Sequence, residues 1–230
     1  MDTRDKRDGT RKITGVHGGL RPRVGYGRGE ESVNYLAHAV LGRASDAHLL
    51  GGFLGDFVRG RVVDDDWPPG VGAGIRLHRA VDAATDAHAA FRACRQAVAP
   101  RRRRLAGIIV DLCWDHCLVR DWQIHCPGLA FDPFVERCYA TLARANMGGA
   151  LAAVAPPFFP VVARMREQDW LRGYATMEGM AETFRRVARR AEFLAPLEDG
   201  IDDLASHLPE FRAGLTQLWE DLGRVSVGQA

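Results

Sequence analysis

The stretch LHRAVDAATD, residues 77–86, places three chemically active side chains at intervals of four residues. Side chains at i, i+4 and i+8 of an α-helix lie within an arc of roughly 80°, so His78, Asp82 and Asp86 are predicted to share one helix face. Ile75 falls in the same arc, which indicates that this face points inward. Buried carboxylates without a partner are destabilising or become protonated, whereas a divalent cation supplies the missing charge.

A second stretch, IIVDLCWDHCL at residues 108–118, repeats this combination of acids and histidine. In a helix, His116 falls in the middle of an apolar stripe, and Asp111 and Asp115 stack at i, i+4 along the edge of that stripe. Helical proteins build metal sites by directing His and carboxylate ligands from two helices towards one point. The two stretches together therefore indicate a metal site between two helices.

Structural interpretations of the same residues stay open. A single histidine on an apolar face is more often a hydrogen-bonded core residue, and a carboxylate pair at a helix edge is usually solvated. Asp82 or Asp86 could pair with Arg76 or Arg79. The metal-site prediction fails only if all of these structural interpretations are correct. The spacing of the residues does not identify the reaction.

Helical periodicity extends over most of the chain, and this predicts an all-α fold with a single multi-helix domain. A turn is expected at DDDWPPG, residues 64–70, because its prolines and glycine interrupt a helix. The chain lacks strand-like alternation beyond a few residues, a dinucleotide-binding glycine fingerprint, a P-loop and internal repeats. The predicted helices span approximately residues 34–41, 46–57 with Asp46 as N-cap, 71–98, 101–122, 133–146, 151–165, 173–193 and 208–222.

Composition excludes several functional classes. The 230 residues carry a formal net charge of +2, which gives no global attraction for nucleic acid or an anionic membrane. No apolar run approaches the ~20 residues of a membrane span, and the N-terminus has no apolar core of a signal peptide. The five cysteines are most simply small buried residues in a reducing compartment, although Cys113 and Cys117 at i, i+4 would permit a zinc-thiolate site. These features predict a cytoplasmic protein.

The first residues differ from the rest of the chain. Residues 1–31 contain eight Lys or Arg and five Asp or Glu, are rich in glycine and show no apolar periodicity. Residues 1–32 are therefore predicted to be a disordered basic extension, and residues 33–225 to be the helical domain.

Four motifs occur in an order and spacing that resemble the acyl carrier protein phosphodiesterase family. The resemblance runs from about Val33 to Leu222, and four ordered motifs make it specific. They are NYLAH (34–38), GGFLGDFVRG (51–60), GIRLHRAVDAATD (74–86) and DLCWDH (111–116). The family is described as a divergent, all-helical branch of the HD-type metal-dependent phosphohydrolases.

This resemblance implies an activity and a set of site residues. The activity is hydrolytic removal of 4′-phosphopantetheine from the serine of holo-acyl carrier protein, with Mn²⁺ or another divalent cation. Asp115 or Asp111 is a candidate general base, and Arg79 a candidate phosphate contact, with an ion pair to Asp82 or Asp86 as its alternative. Asp86 is expected to orient a ligand. The implied metal-site candidates are His38, Asp56, His78, Asp82, Asp111, Asp115 and His116.

The sequence departs from the family pattern at two places. Gly52 stands where the family commonly has Asn, so an amide hydrogen bond is lost there. Family members commonly begin with Met immediately before the NYLAH-type motif, where this chain has Val33, a residue whose GTG codon can start translation in bacteria. We therefore expect residues 1–32 to be a misassigned extension, which the intact mass of the native protein tests.

An acidic carrier protein as partner predicts a basic docking surface. Candidates are the block Arg101–Arg104 and the cluster Arg185, Arg186, Arg189 and Arg190, although each could be an ordinary solvated surface. Two functional alternatives stay open: a phosphohydrolase acting on a nucleotide or another small phosphoester, and a non-catalytic module that binds acyl carrier protein. The sequence does not specify the oligomeric state.

Overall fold

Eleven α-helices form the part of the chain that the computed structural model describes, residues 34–145 and 155–227, and no β-strand occurs there. The predicted all-α class is confirmed, and the predicted extension at residues 1–32 lies outside the described residues. The helices are α1 (Tyr35–Leu41), α2 (Asp46–Leu54), α3 (Val71–Ala87), α4 (Ala89–Ala97), α5 (Ala106–Arg120), α6 (Trp122–His125), α7 (Phe131–Ala145), α8 (Phe158–Glu167), α9 (Trp170–Gly173), α10 (Met177–Ala188) and α11 (Gly200–Val227). Short 3₁₀ segments occupy Gly55–Phe57, Asp64–Asp66, Pro100–Leu105 and Glu192–Asp199.

Helix α5 lies at the centre of the protein, where it packs against α1, α4, α10 and α11. Every residue from Ile109 to Leu118 is buried, so the helix is enclosed around its whole circumference. The sequence predicted an apolar stripe with Asp111 and Asp115 at its edge. That placement is wrong, because both carboxylates lie inside the core.

The predicted helix at residues 71–98 is two helices separated at His88. This residue has extended backbone angles (φ −76°, ψ 142°), and its Nδ1 accepts a hydrogen bond from the Ala90 N–H at 3.2 Å. The imidazole thereby caps α4. Histidine is not a typical N-cap residue, so the residue types at this position do not predict a break between α3 and α4.

The start of α2 differs from its prediction by one residue. Ser45, and not Asp46, is the N-cap, because its backbone is extended and its Oγ accepts from the His48 N–H at 3.2 Å. Asp46 instead lies in the first turn, where it accepts from Arg137 and Arg144.

The C-terminal helices also depart from prediction. Residues 146–154 lie outside the described part, so the predicted helix 151–165 is seen only as α8. The predicted helix 173–193 is replaced by α9, α10 and a 3₁₀ segment. The last helix begins earlier, at Gly200, and contains a kink at His207, two residues before Pro209.

The block Arg101–Arg104 lies in a 3₁₀ segment and not in the first turn of α5. Arg102 is 2% exposed, and its Nε donates to Asp203 Oδ2 at 2.6 Å. The other oxygen of Asp203 accepts from the Ala99 N–H at 2.9 Å. Arg102 therefore joins the chain before α5 to α11, and its place in a docking surface is excluded by its burial.

Helices α2 and α3 are in backbone contact, which sets the geometry of the functional site. A Cβ at Gly51 would lie 2.5 Å from the Val71 carbonyl oxygen, and one at Gly74 would lie 2.4 Å from the His48 carbonyl oxygen. Only glycine permits this approach.

Among the described helices, none combines the length and the apolar character needed to cross a membrane.

Candidate metal centre

Three side chains from two helices converge at one point. His38 belongs to α1, and His78 and Asp82 belong to α3. His38 Nε2 lies 3.3 Å from Asp82 Oδ1, and His78 Nε2 lies 3.4 Å from Asp82 Oδ2. Within residues 34–145 and 155–227, this is the only group of three or more His, Cys, Asp or Glu residues whose ligand atoms all lie within 4.8 Å of one another.

Asp56 extends this group from a third element, the 3₁₀ segment that follows α2. Its Oδ2 lies 3.2 Å from His78 Nε2. His38, Asp56, His78 and Asp82 form the candidate metal site, which is called the metal centre below. It contains two imidazoles and two carboxylates, a donor set that suits a divalent transition metal.

The orientation of His78 is determined by the backbone of α2. His78 Nδ1 lies 2.8 Å from the Gly52 carbonyl oxygen. Because a carbonyl oxygen only accepts, Nδ1 carries the hydrogen, and in the neutral ring Nε2 has a free lone pair that faces the carboxylates. Histidine ligands of metals usually donate from their second nitrogen in this way. The amide that the family has in place of Gly52 is thus not needed to orient His78.

The two imidazoles of the metal centre are in face-to-face contact. The rings of His38 and His78 have centroids 3.7 Å apart and an interplanar angle of 19°. A Cβ added at Gly55 would lie 2.1 Å from His78 Cγ, so the ring occupies the space that a side chain at this position would fill. Glycine on one side and His38 on the other therefore fix the plane of His78.

Several polar atoms of the metal centre are buried without a hydrogen bond from the described residues. They include His38 Nε2, His78 Nε2 and Asp56 Oδ2. The imidazole–carboxylate separations of 3.2–3.4 Å are ion-pair distances without hydrogen-bond geometry. Most buried polar atoms in proteins have a partner, and a group of exceptions at one point needs an explanation. A divalent cation among these atoms would satisfy them together, so the residues present fit a metal site.

Without a metal, a proton on His78 compensates the negative charges of Asp56 and Asp82. Burial lowers the pKa of His78, but Asp56 and Asp82 outweigh burial and raise it to about 10. Burial raises the pKa of Asp82, but the close approach of His38 and His78 to its carboxylate outweighs burial and brings the pKa well below its usual range. The pKa of His38 is lowered by burial and by the neighbouring His78. A cation at this centre would therefore displace the proton of His78.

Asp115 positions α1, a role that the sequence did not reveal. Its carboxylate is fully buried, and its two oxygens accept from the Leu36 and Ala37 N–H groups, each at 3.0 Å. These N–H groups belong to the first turn of α1, where intrahelical partners are missing. Burial raises the pKa of Asp115 to about 7, although both backbone bonds favour the charged form. Asp115 thereby holds the helix that carries His38.

The other two candidates on α5 are buried but lie outside the three-residue group. His116 Nδ1 donates to the Tyr174 carbonyl oxygen at 2.7 Å, and its Nε2 makes no hydrogen bond with the described residues. Asp111 is 8% exposed. The structure thus brings together four of the seven predicted ligand residues, and metal ligation by Asp111, Asp115 and His116 stays a prediction.

Arg79 and Asp86 take positions that their spacing did not suggest. The terminal nitrogens of Arg79 donate to the Gly60 and Val58 carbonyl oxygens, both at 2.7 Å. Arg79 therefore supports the segment that follows Asp56, and contact with a phosphate stays a prediction. Asp86 is exposed in the last turn of α3, so the prediction that it shares an inward face with His78 is wrong.

Comparison with known proteins adds an independent finding. Residues 33–222 match the family model described as acyl carrier protein phosphodiesterase. The chain is similar to proteins of that name from Photorhabdus laumondii (32% identity, covering 81% of this chain and 91% of the relative) and from Serratia proteamaculans (33%, 82% and 93%). A protein of the same name from Escherichia coli O157:H7 is 33% identical and covers the same shares, 82% and 93%. No solved structure matches this chain significantly.

Proposed function

The chain belongs to the acyl carrier protein phosphodiesterase family, and we propose that it hydrolyses the phosphodiester between 4′-phosphopantetheine and the serine of holo-acyl carrier protein. The products are apo-acyl carrier protein and 4′-phosphopantetheine. We propose Mn²⁺ or a similar divalent cation as cofactor, held by His38, Asp56, His78 and Asp82.

The observation that carries this proposal is the convergence of two imidazoles and two carboxylates at nitrogen–oxygen distances of 3.2–3.4 Å. Within the described residues, the two Nε2 atoms and Asp56 Oδ2 make no hydrogen bond of good geometry, and a divalent cation would bind all three. Here the only hydrogen bond to His78 from the described residues uses Nδ1, so Nε2 stays directed at the carboxylates.

The chemistry divides between the cation and the chain. A bound divalent cation supplies positive charge that acidifies water and stabilises negative charge on the phosphoryl oxygens. The chain orients the ligands: Gly52 holds His78 through its carbonyl oxygen, and Asp115 holds α1 and with it His38. Both oxygens of the buried Asp115 carboxylate accept from α1, so its role as general base stays a prediction that turnover measurements must test.

Arg185 of α10 and Arg189, which follows the last residue of α10, share an ionic partner on this helix. Arg185 lies 3.0 Å from Glu182, and Arg189 lies 3.9 Å from the same carboxylate. Such exposed pairs can be exchanged for an acidic partner at little free-energy cost. A salt-sensitive interaction of α10 with the acidic carrier protein therefore forms part of this proposal, whereas Arg102 is not available for it.

The test follows the mass of the substrate. Purified full-length protein is incubated with holo-acyl carrier protein and Mn²⁺, and the intact mass of the carrier is measured over time. We expect loss of the phosphopantetheine mass, which EDTA stops and excess Mn²⁺ restores. Asp82→Asn should abolish turnover because it removes a negatively charged oxygen ligand while keeping the side-chain shape.

A matched control separates the metal centre from histidine–aspartate pairs in general. His88 Nε2 lies 3.2 Å from Asp221 Oδ2 outside the metal centre, so His88→Gln should retain turnover. Turnover of free nucleotides without loss of phosphopantetheine would replace the proposed substrate. Tight carrier binding that is insensitive to EDTA, without turnover, would instead identify a binding module.

A further inference from the structure

A second polar pocket lies between α9 and α10, away from the residues of the metal centre. Its volume is about 230 Å³. Its lining includes Trp170, Thr183 and Arg186, together with the glycines Gly173 and Gly179. A Cβ at Gly179 would lie 2.0 Å from the Gly173 carbonyl oxygen, so this wall consists of closely packed backbone.

Arg186 has an unusual environment in this pocket. Its guanidinium carbon lies 3.9 Å from the centroid of the Trp170 ring, and one terminal nitrogen donates to Thr183 Oγ1 at 2.9 Å. Its Nε is buried and makes no hydrogen bond with the described residues. Within those residues, no carboxylate forms an ion pair with Arg186, unlike Arg185 on the same helix and Arg189 just beyond its end.

Arg186 is the basic residue that lines the pocket. Glu182 also lines it, but this carboxylate is already paired with Arg185 and Arg189. Burial lowers the pKa of Arg186, which reflects the penalty for a guanidinium that is removed from water without a counter-charge. The stacking on Trp170 fixes the guanidinium plane, and a fixed plane favours the paired hydrogen bonds that oxyanions accept from arginine.

We propose that the pocket formed by Trp170, Thr183 and Arg186 binds an oxyanion, either a phosphate or a carboxylate group. The oxyanion supplies a counter-charge that no described carboxylate provides by an ion pair with Arg186, and it accepts hydrogen bonds from the guanidinium. Recognition combines the positive charge of Arg186 with the hydroxyl of Thr183. This inference does not depend on the proposed hydrolysis or on the metal centre.

The indole of Trp170 provides a direct readout of the pocket. Its Nε1–H donates to Gln168 Oε1 at 2.9 Å, and its ring lies against Arg186. In a ¹H–¹⁵N correlation spectrum of the metal-free full-length protein, the indole signal of Trp170 is assigned with a Trp170→Phe variant. The protein is then titrated separately with inorganic phosphate and with acetate, at an ionic strength held constant with NaCl.

We expect a saturable shift of the Trp170 indole signal with phosphate, with acetate or with both. The anion with the higher apparent affinity identifies the class of oxyanion that the pocket binds. Arg186→Gln should weaken the apparent affinity by about tenfold or more, which corresponds to at least about 1.4 kcal/mol. Arg186→Lys should also weaken it, because lysine keeps the charge but loses the planar fork. Arg164→Gln, which removes the same charge from an exposed position of α8 that does not line the pocket, should leave the affinity within about twofold.

Three results would overturn the proposal. The first is the absence of a saturable shift with both anions. The second is equal weakening by Arg186→Gln and Arg164→Gln, which would indicate general electrostatic attraction. The third is an unchanged affinity in a folded Arg186→Gln protein, with folding judged from the other indole signals.

Discussion

Gly55→Ala is the substitution that most directly tests how the fold orients the metal centre. The added Cβ would lie 2.1 Å from His78 Cγ and 2.3 Å from Cδ2. Ordinary carbon contacts are about 3.5–4 Å, so the ring must move by more than about 1 Å. That displacement breaks the alignment of Nε2 with Asp56 and Asp82.

The expected magnitudes follow from this clash. Overpacking costs about 1–3 kcal/mol, and the helical backbone of Gly55 (φ −49°, ψ −43°) recovers about 0.4–1 kcal/mol when alanine replaces glycine. We therefore expect a modest net loss of stability. Misorientation of one ligand typically lowers metal affinity by about 10–100-fold. The stabilisation by Mn²⁺ should fall by about 1.4–2.7 kcal/mol when the cation is in excess.

The assay is thermal unfolding with and without MnCl₂, supported by calorimetric titration of Mn²⁺. Gly107→Ala is the matched control, because a Cβ at this position of α5 would meet only Phe91 Cζ, at 3.8 Å. The control should keep the full Mn²⁺-induced rise in Tm. A Gly55→Ala protein that also keeps it would refute the conclusion that Gly55 positions His78 for the metal.

Three further predictions concern the supports of the site and of the core. Asp203→Ala leaves Arg102 buried without its partner and should lower the free energy of unfolding by about 3–5 kcal/mol in urea titrations, whereas Asp199→Ala at the exposed Arg101 should change it little. Asp115→Ala removes the acceptor of the Leu36 and Ala37 N–H groups, which should lower the free energy of unfolding by about 1–3 kcal/mol for each group. Because α1 carries His38, the Mn²⁺ affinity measured by titration calorimetry should also fall. An unchanged affinity would contradict the positioning role of Asp115. The hydrogen bond from Arg212 lowers the pKa of Asp121. The ionised carboxylate therefore stabilises the protein above the ordinary aspartate pKa, and this stabilisation is lost as the pH falls through the lower pKa of the folded state. Asp121→Asn should therefore reduce the pH dependence of the urea midpoint below about pH 4, and an identical slope in the variant would disprove the assignment.

Local sequence determined most of the helices and one half of the metal centre. The i, i+4 spacing of His78 and Asp82 requires only a helix to bring both side chains to one face, and α3 provides it. The same rule failed at Asp86, because α3 ends one residue later and its last turn is exposed. Helix boundaries failed where an uncommon residue made the cap, as at His88.

Only the tertiary structure decided which residues from different segments meet. His38 and Asp56 join His78 because Asp115 anchors α1, and because glycines allow α2 to contact α3 through the backbone. The same long-range packing buried Arg102 against Asp203 and placed the guanidinium of Arg186 against Trp170. Periodicity reports the directions of side chains around one helix, whereas the meeting of helices depends on steric fit and hydrogen bonds between residues far apart in sequence. The chemistry of the ligands could therefore be read from the sequence, and their assembly into a site could not.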